Sequence, residues 1–218
     1  MSTDSLEDIF IPTYVINLKE RTDRLQHIKQ QFNGKEEFEL HIQEACRHEI
    51  GAVGLWNSIV NIIKIAIENE DTVIIICEDD HIFTQYYDKI FFIKNILEAH
   101  EQSVDLLAGG IGGFNVAIPI TQNRYWIDTF WCTQFIIIYR KFFKNILDVT
   151  FADTDTADGV LSKITCNKMV IYPFISIQKD FEYSDVTKNN NIKGNITEHF
   201  RNADAKLNIY KKVFDKYL

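Results

Sequence analysis

The chain has 218 residues, 46% apolar and 25% charged, the composition of a soluble globular protein with enough aromatic side chains (16 Phe, 9 Tyr) to fill a sizeable core. A formal net charge of −8 excludes a general nucleic-acid binder, which needs a basic face, while leaving room for a nucleotide held by a few local cations. No apolar run reaches the roughly 18 residues of a membrane span. The acidic start "MSTDSLEDIF" lacks the apolar stretch of a signal peptide, so a cytoplasmic location is expected.

In chain order, "IPTYVINL" reads as a strand opened by Pro12, and "RTDRLQHIKQQF" as a helix with Leu25, Ile28 and Phe32 on one face. "FELHIQEA" alternates as a second strand, and "AVGLWNSIVNIIKIAIEN" is a broad-faced buried helix. "TVIIIC" is a third strand, apolar on both sides, and "YYDKIFFIKNILEAH" a further helix. Strands separated by helices of this length predict βαβ units and a doubly wound, largely parallel sheet. Beyond them, "VDLLAGG" is a short strand ending in glycines, "WCTQFIIIY" a strong strand and "RKFFKNILDV" a helix. "TADGVLSKIT" is a short helix, "KMVIYPFISIQ" an extended segment and "DFEYSDVTKNNNIKGN" a polar loop. The tail from about Ala203 to Leu218 is an amphipathic helix with Leu207, Tyr210, Phe214 and Tyr217 on one face. No repeat or linker interrupts the chain, which predicts one domain. Cys46, Cys77, Cys132 and Cys166 have neither metal nor redox spacing and read as reduced thiols.

Ligands of such sheets bind beyond the carboxyl ends of the strands. Two polar clusters fall there: "NLKERTDR" after the first strand and Glu78-Asp79-Asp80 after the third. Adjacent carboxylates raise one another's pKa, so three in a row need something positive nearby. Oxygen-only ligation suits Mg2+ or Mn2+, with Glu78 and Asp80 on one side if the strand continues; an acidic turn or helix cap is the alternative. Arg21 and Arg24, three apart at a helix start, could meet a phosphate or simply pair with Asp23. "GGIGGF" (109–114) does not have phosphate-loop spacing and reads as a turn allowing a close backbone approach. "DTDTADG" offers Asp153, Asp155 and Asp158 as general base or caps. His81 and His199 are weaker ligand candidates. The lysines of the last helix could touch an anionic membrane surface or lie in solvent.

Together, "YVINLKERTDRLQHI", "GAVGLWNSI", "VIIICEDDHIF", "VDLLAGG", "TADGVLSK" and "YPFISIQKDFEYSDV" resemble glycosyltransferase family 25, the lipopolysaccharide and oligosaccharide galactosyltransferase-like group, over residues 11 to 187. The resemblance implies an α/β GT-A (Rossmann-like) fold with a mostly parallel central sheet flanked by helices. It would be a single domain over 1–218, its nucleotide-sugar part at about 11–110 and its acceptor-side part at about 111–218. It implies a metal-dependent inverting hexosyltransferase that moves a galactose-like hexose from a UDP-sugar to an oligosaccharide or lipid-linked glycan in bacterial surface-polysaccharide synthesis; the basic last helix adds a peripheral contact with the inner face of the membrane as an expectation. Asn17, Leu18 and Arg21 would line the nucleotide. Asp80 would ligate Mn2+ or Mg2+, with Glu78 and Asp79 assisting or contacting the donor's sugars. Asp158 would be the base, with Asp155 next, and Gln178, Ser184 and Asp185 would lie near the mouth. The family's helix start reads Gly-Glu-Ile-Gly-Cys, then Ser-His; here it is Gly51-Ala52-Val53-Gly54-Leu55, then Ser58-Ile59. That departure motivates a second reading, a catalytically silent nucleotide-sugar- or glycan-binding relative. A metal-dependent hydrolase using the same acids is a third.

Overall fold

The run Ile74-Ile75-Ile76-Cys77 is withdrawn from water on both sides because its strand lies between two layers of helices. A computed structural model describes residues 9–181 and 194–217. The strands β1 (Ile11–Asn17), β2 (Phe38–Glu44) and β3 (Val73–Glu78) form where alternation predicts them. Helix α1 (Thr22–Phe32) joins β1 to β2, and α2 (Gly51–Glu68) joins β2 to β3. Both neighbours of β1 are parallel to it, β2 on one side and β3 on the other. Right-handed crossovers that run in opposite directions across the sheet, β1 to β2 and then β2 to β3, put their helices on opposite faces. Side chains two apart on a strand share a face. Ile74 and Ile76 therefore pack with Trp56, Ile59 and Ile63 of α2, while Ile75 and Cys77 pack with Ile28 and Phe32 of α1. Each such aliphatic side chain contributes about 1.5–3 kcal/mol relative to staying in water.

After β3 come β4 (His81–Phe83), α3 (Lys89–Glu101), β5 (Leu106–Ala108), β6 (Ala117–Pro119), β7 (Arg124–Ile127) and β8 (Phe135–Tyr139). They are followed by α4 (Arg140–Leu147), α5 (Ala157–Ile164), β9 (Lys168–Ile171), β10 (Ser176–Gln178) and α6 (Asn195–Tyr217). The eight-stranded sheet has the order β2-β1-β3-β8-β5-β9-β7-β6. β8 is antiparallel to β3 and β5, and β7 to β9 and β6, so the remaining strands all run one way. The protein is thus a mixed α/β fold with a large, mostly parallel central sheet flanked by helices, as the sequence predicts.

Some elements depart from the sequence expectations. The "WCTQFIIIY" strand starts only at Phe135, and Trp131 to Gln134 form a loop ahead of it. Helix α6 starts eight residues before Ala203, because Ile196, Phe200, Ala203 and Leu207 already make a buried stripe. Tyr217, expected on that buried face, is 71% exposed because the stripe leaves the body after Phe214; Ile209, Val213 and Tyr217 form an outer stripe instead. Among the described residues no helix is long and apolar enough to cross a membrane. All four cysteines are free thiols; Cys77 is buried and Cys166 exposed.

The "GGIGGF" turn makes the close approach expected of it, against the protein's own backbone. A Cβ on Gly110 would lie 1.9 Å from the carbonyl oxygen of Ser176, and one on Gly113 2.3 Å from a ring carbon of Trp131. The first contact seats β10 beside the sheet. There β10 pairs antiparallel with β4, matching Gln178 to His81.

Candidate active site

A cleft of about 850 Å³ opens along the rim where β1, β2 and β3 end. It lies where the direction of the chain connections reverses, from β1 to β2 and then from β2 across to β3, the crevice in which open α/β sheets bind ligands. Its floor is the acidic triplet. β3 ends at Glu78, and Asp79 and Asp80 form the turn into β4. All three carboxylates line the cleft.

Each acid has different partners. Asp79 accepts from Asn17 Nδ2 at 2.8 Å and from Arg24 Nη1 at 2.9 Å. Arg24, at a helical position beside Leu25 and Ile28, is only 7% exposed and also approaches Asp80 Oδ2 at 3.5 Å. Asp80 Oδ2 accepts from Gln178 Nε2 at 2.8 Å, whereas its buried Oδ1 has no hydrogen-bond partner among the described residues. Glu78 Oε1 accepts from Thr133 Oγ1 at 2.7 Å. The Arg24 guanidinium thus serves Asp79 at 2.9 Å and Asp80 at 3.5 Å, while Glu78 is partnered by a hydroxyl. Burial first, then the charge of Asp80, pushes the pKa of Glu78 up; burial first, then Asp79, does the same to Asp80.

The β1 and β2 side of the cleft is formed by Leu18, Arg24, Cys46, Arg47, His48 and Leu55. Ser58 of α2 fixes the loop before that helix, accepting from the Cys46 amide at 2.8 Å and donating to the Gly54 carbonyl. Gly54 is required there, since a Cβ would lie 2.6 Å from the Cys46 oxygen. Arg47 pairs with Glu20 at 2.6 Å on the exposed edge.

The far side is formed by Trp131, Cys132, Thr133, Asp158, Asn195 and His199. β8 runs antiparallel, so it brings its amino end to this rim: the Glu78 amide donates to the Gln134 carbonyl at 3.0 Å. Asp158, in the first turn of α5, is held by two backbone donors. Its Oδ1 accepts from Gly159 at 2.7 Å and its Oδ2 from Cys132 at 3.0 Å. Thr156 caps the same helix by accepting from Gly159.

Leu18, Glu78, Asp79, Asp80, Asp158 and Gln178 therefore meet in one cleft. Among the described residues, Asn17 and Arg21 do not line it: Asn17 is buried and orients Asp79, and Arg21 is the N-cap of α1. Asp155 accepts from the Ala152 amide and lies outside the cleft. His81 is fully buried, stacked on Phe135 with Nδ1 against Ser176 Oγ at 2.8 Å, and does not line the cleft. Ser184 and Asp185 lie outside the described residues. Trp131 and Thr133 line the cleft without having stood out in the sequence; their one signal is a polar, aromatic-led stretch just before a strong strand.

Among the described residues, no three His, Cys, Asp or Glu side chains form a group that could hold a metal ion by themselves. Glu78 and Asp80 nevertheless suit a hard cation that takes its other ligands from a bound anion: both are oxygen donors, both have raised pKa values, and Asp80 Oδ1 lacks a partner among the described residues.

No protein-family model matches the chain. No curated protein matches it. Its fold is similar to that of several solved structures at low sequence identity. One is A197 from STIV, 12% identical over 74% of this chain and 81% of that chain, with a TM-score of 0.49. A second is a glycosyltransferase involved in the glycosylation of the major capsid of PBCV-1, 12% identical over 63% of each chain, TM-score 0.42. A third is the mannosyltransferase PcManGT from Pyrobaculum calidifontis in complex with GDP-Man and Mn2+, 10% identical over 75% of this chain and 54% of that chain, TM-score 0.40. These likenesses concern the course of the backbone and assign no role to any residue here.

Proposed function

We propose that the chain is an inverting glycosyltransferase that takes a hexose from a nucleoside diphosphate sugar, in the first instance a UDP-sugar, to a glycan acceptor. The observation that carries this reading is the meeting of Glu78, Asp79 and Asp80 with Asp158 in one cleft at the switch point of the sheet. The cleft is polarised. Arg24, Arg47 and His48 lie toward the β1 and β2 side, which suits a diphosphate; Asp158 lies toward the β8 side, which suits an acid-base group.

A divalent cation, Mn2+ or Mg2+, would be held by Asp80 with Glu78 and would neutralise charge on the departing diphosphate. Arg24 and Asn17 hold Asp79 in place, which orders the acidic turn before a donor binds. Asp158 takes the proton of the acceptor hydroxyl. That oxygen forms its bond to the anomeric carbon as the bond to the diphosphate breaks, and the nucleoside diphosphate leaves with the electron pair. One displacement inverts the centre and needs no covalent nucleophile. The acceptor belongs to an oligosaccharide or lipid-linked glycan of a cell surface. The outer stripe Ile209, Val213 and Tyr217 of α6, beside Lys212 and Lys216, would rest on an anionic membrane where such acceptors are made.

A second reading is a silent nucleotide-sugar- or glycan-binding relative. The first turn of α2, which meets the cleft through Gly51 and Leu55, carries no acidic residue to contact a substrate. Calorimetry with a panel of UDP-sugars, with and without Mn2+, tests both when paired with a turnover assay. Metal-dependent binding with release of UDP supports the transferase. Binding without turnover on any glycan supplied favours the silent relative, and absence of nucleotide binding removes the transferase and leaves at most a glycan-binding relative.

A further inference from the structure

Trp131 stands at the cleft wall beside the proposed base and is half exposed, at 50%. A large aromatic ring left open to water in a concave site costs apolar hydration unless a ligand covers it. The ring is held rather than loose. The Gly112 amide donates to the Trp131 carbonyl at 2.8 Å, and the Trp131 amide donates to the Gly113 carbonyl at 3.1 Å. The six-membered ring lies against Gly113, where no side chain fits, and His199 meets it edge-on at 5.7 Å and 83°. The next residue, Cys132, has a φ of 75°, a left-handed conformation rare for a side-chain-bearing residue. That turn lets the Cys132 amide reach Asp158 while Trp131 stays on the wall.

We infer that Trp131 is the platform of an acceptor subsite on which a pyranose ring stacks, with one hydroxyl set toward Asp158. A hexopyranose has an apolar face of axial C–H groups and a rim of hydroxyls, and the wall offers an aromatic surface bordered by Asp158, Thr133 and His199. A nucleobase fits less well. Trp131 stands on the β8 side with Asp158, whereas the cations suited to a diphosphate lie across Glu78 on the β1 and β2 side. The subsite rests on the glycosyltransferase reading for its role, and its test reads binding separately from transfer.

The wild-type protein, Trp131→Phe and Trp131→Ala are titrated with methyl α- and β-glucopyranosides, galactopyranosides and mannopyranosides, each with and without UDP and Mn2+. The indole N–H resonances are followed by NMR, with Trp131 assigned from its loss in the variants, and the affinities of all three proteins for each pyranoside and for UDP are measured by calorimetry. Sorbitol, which has the hydroxyls but no ring face, is the control. At least one pyranoside should shift the Trp131 signal saturably while sorbitol does not. Trp131→Ala should weaken that pyranoside about tenfold or more, Trp131→Phe about threefold or less, and UDP binding should be unchanged in both. The inference is overturned if no pyranoside shifts the resonance, if Trp131→Ala binds as the wild type does, or if UDP alone moves the signal and loses affinity in Trp131→Ala. Pyranoside binding at Trp131 in a protein that binds no nucleotide would keep the platform and remove the transferase.

Discussion

Arg24 and Asp79, 55 positions apart, meet at 2.9 Å in the floor of the cleft, both largely withdrawn from water. A pair of this kind is weak evidence of net stabilisation, but removing one partner strands the other charge. Here the strain would fall on a turn that already carries Glu78 and Asp80.

Arg24→Met should therefore destabilise the fold by about 3–5 kcal/mol in urea unfolding. Adding Asp79→Asn to it should recover about half of that loss, because the stranded charge is removed as well. Strictly additive losses in the double variant would show that the pair is not coupled.

The acidic floor also sets a pH dependence. Glu78 is raised from 4.5 to about 8, by burial and then by Asp80; Asp80 is raised from 3.8 to about 7, by burial and then by Asp79. The folded chain holds protons that the unfolded chain has released, so this contribution to stability is full below the ordinary carboxylate range and is lost as pH climbs toward 7–8. Without metal, Tm should fall by several degrees from pH 5 to pH 8, and Asp80→Asn should flatten the slope. Millimolar Mn2+ should raise Tm more at pH 8 than at pH 5. A wild-type slope matching that of Asp80→Asn would contradict the assignment.

Two substitutions separate donor binding from chemistry. Asp80→Ala should abolish the metal-dependent part of UDP-sugar binding in calorimetry. Asp158→Asn should leave that binding within about twofold and lower transfer by about two orders of magnitude or more, the scale for losing a general base. Full activity in Asp158→Asn would show that Asp158 is not the base, and Asp155, outside the cleft, does not replace it.

Gly110→Ala tests how the cleft is supported from below. The new methyl would lie 1.9 Å from the Ser176 carbonyl, a backbone atom that cannot swing away, so β10 must shift and carry Gln178 from Asp80. The expected cost is about 1–3 kcal/mol or more in urea unfolding, with weaker metal-dependent donor binding. Unchanged stability and binding would show that β10 can slide freely.

Ile209→Asp with Val213→Asp addresses the outer stripe of α6. The wild type should co-sediment with phosphatidylglycerol vesicles at low salt and release at high salt; the double variant should stay in the supernatant with its Tm unchanged. Equal partition of the two proteins would rule out this contact.

The sequence made some of this legible for clear physical reasons. Ile74 to Cys77, four apolar residues between helical segments, read as an interior strand, and a strand reached by helical crossovers presents its carboxyl end to ligands, which places Glu78 to Asp80 on the rim. Arg24 was harder. A cation at a helix start gives no hint that it will be sealed against an acid 55 positions away, and local spacing suggested phosphate or Asp23 instead. Strands of three or four residues such as β4, β6 and β7 are too short to show a period. Trp131 stayed hidden because apolar pattern identifies a strand without giving its direction; only the antiparallel course of β8 decides which end reaches the cleft.

That reversed strand has an evolutionary consequence. One wall of the cleft is written in the first eighty residues, and the opposite wall in the loop that feeds β8 and in α5 and α6. Insertions or replacements ahead of Phe135 would remodel the second wall while the turn after β3 keeps its geometry. A lineage built on this scaffold could exchange what it recognises on one flank and inherit the other unchanged.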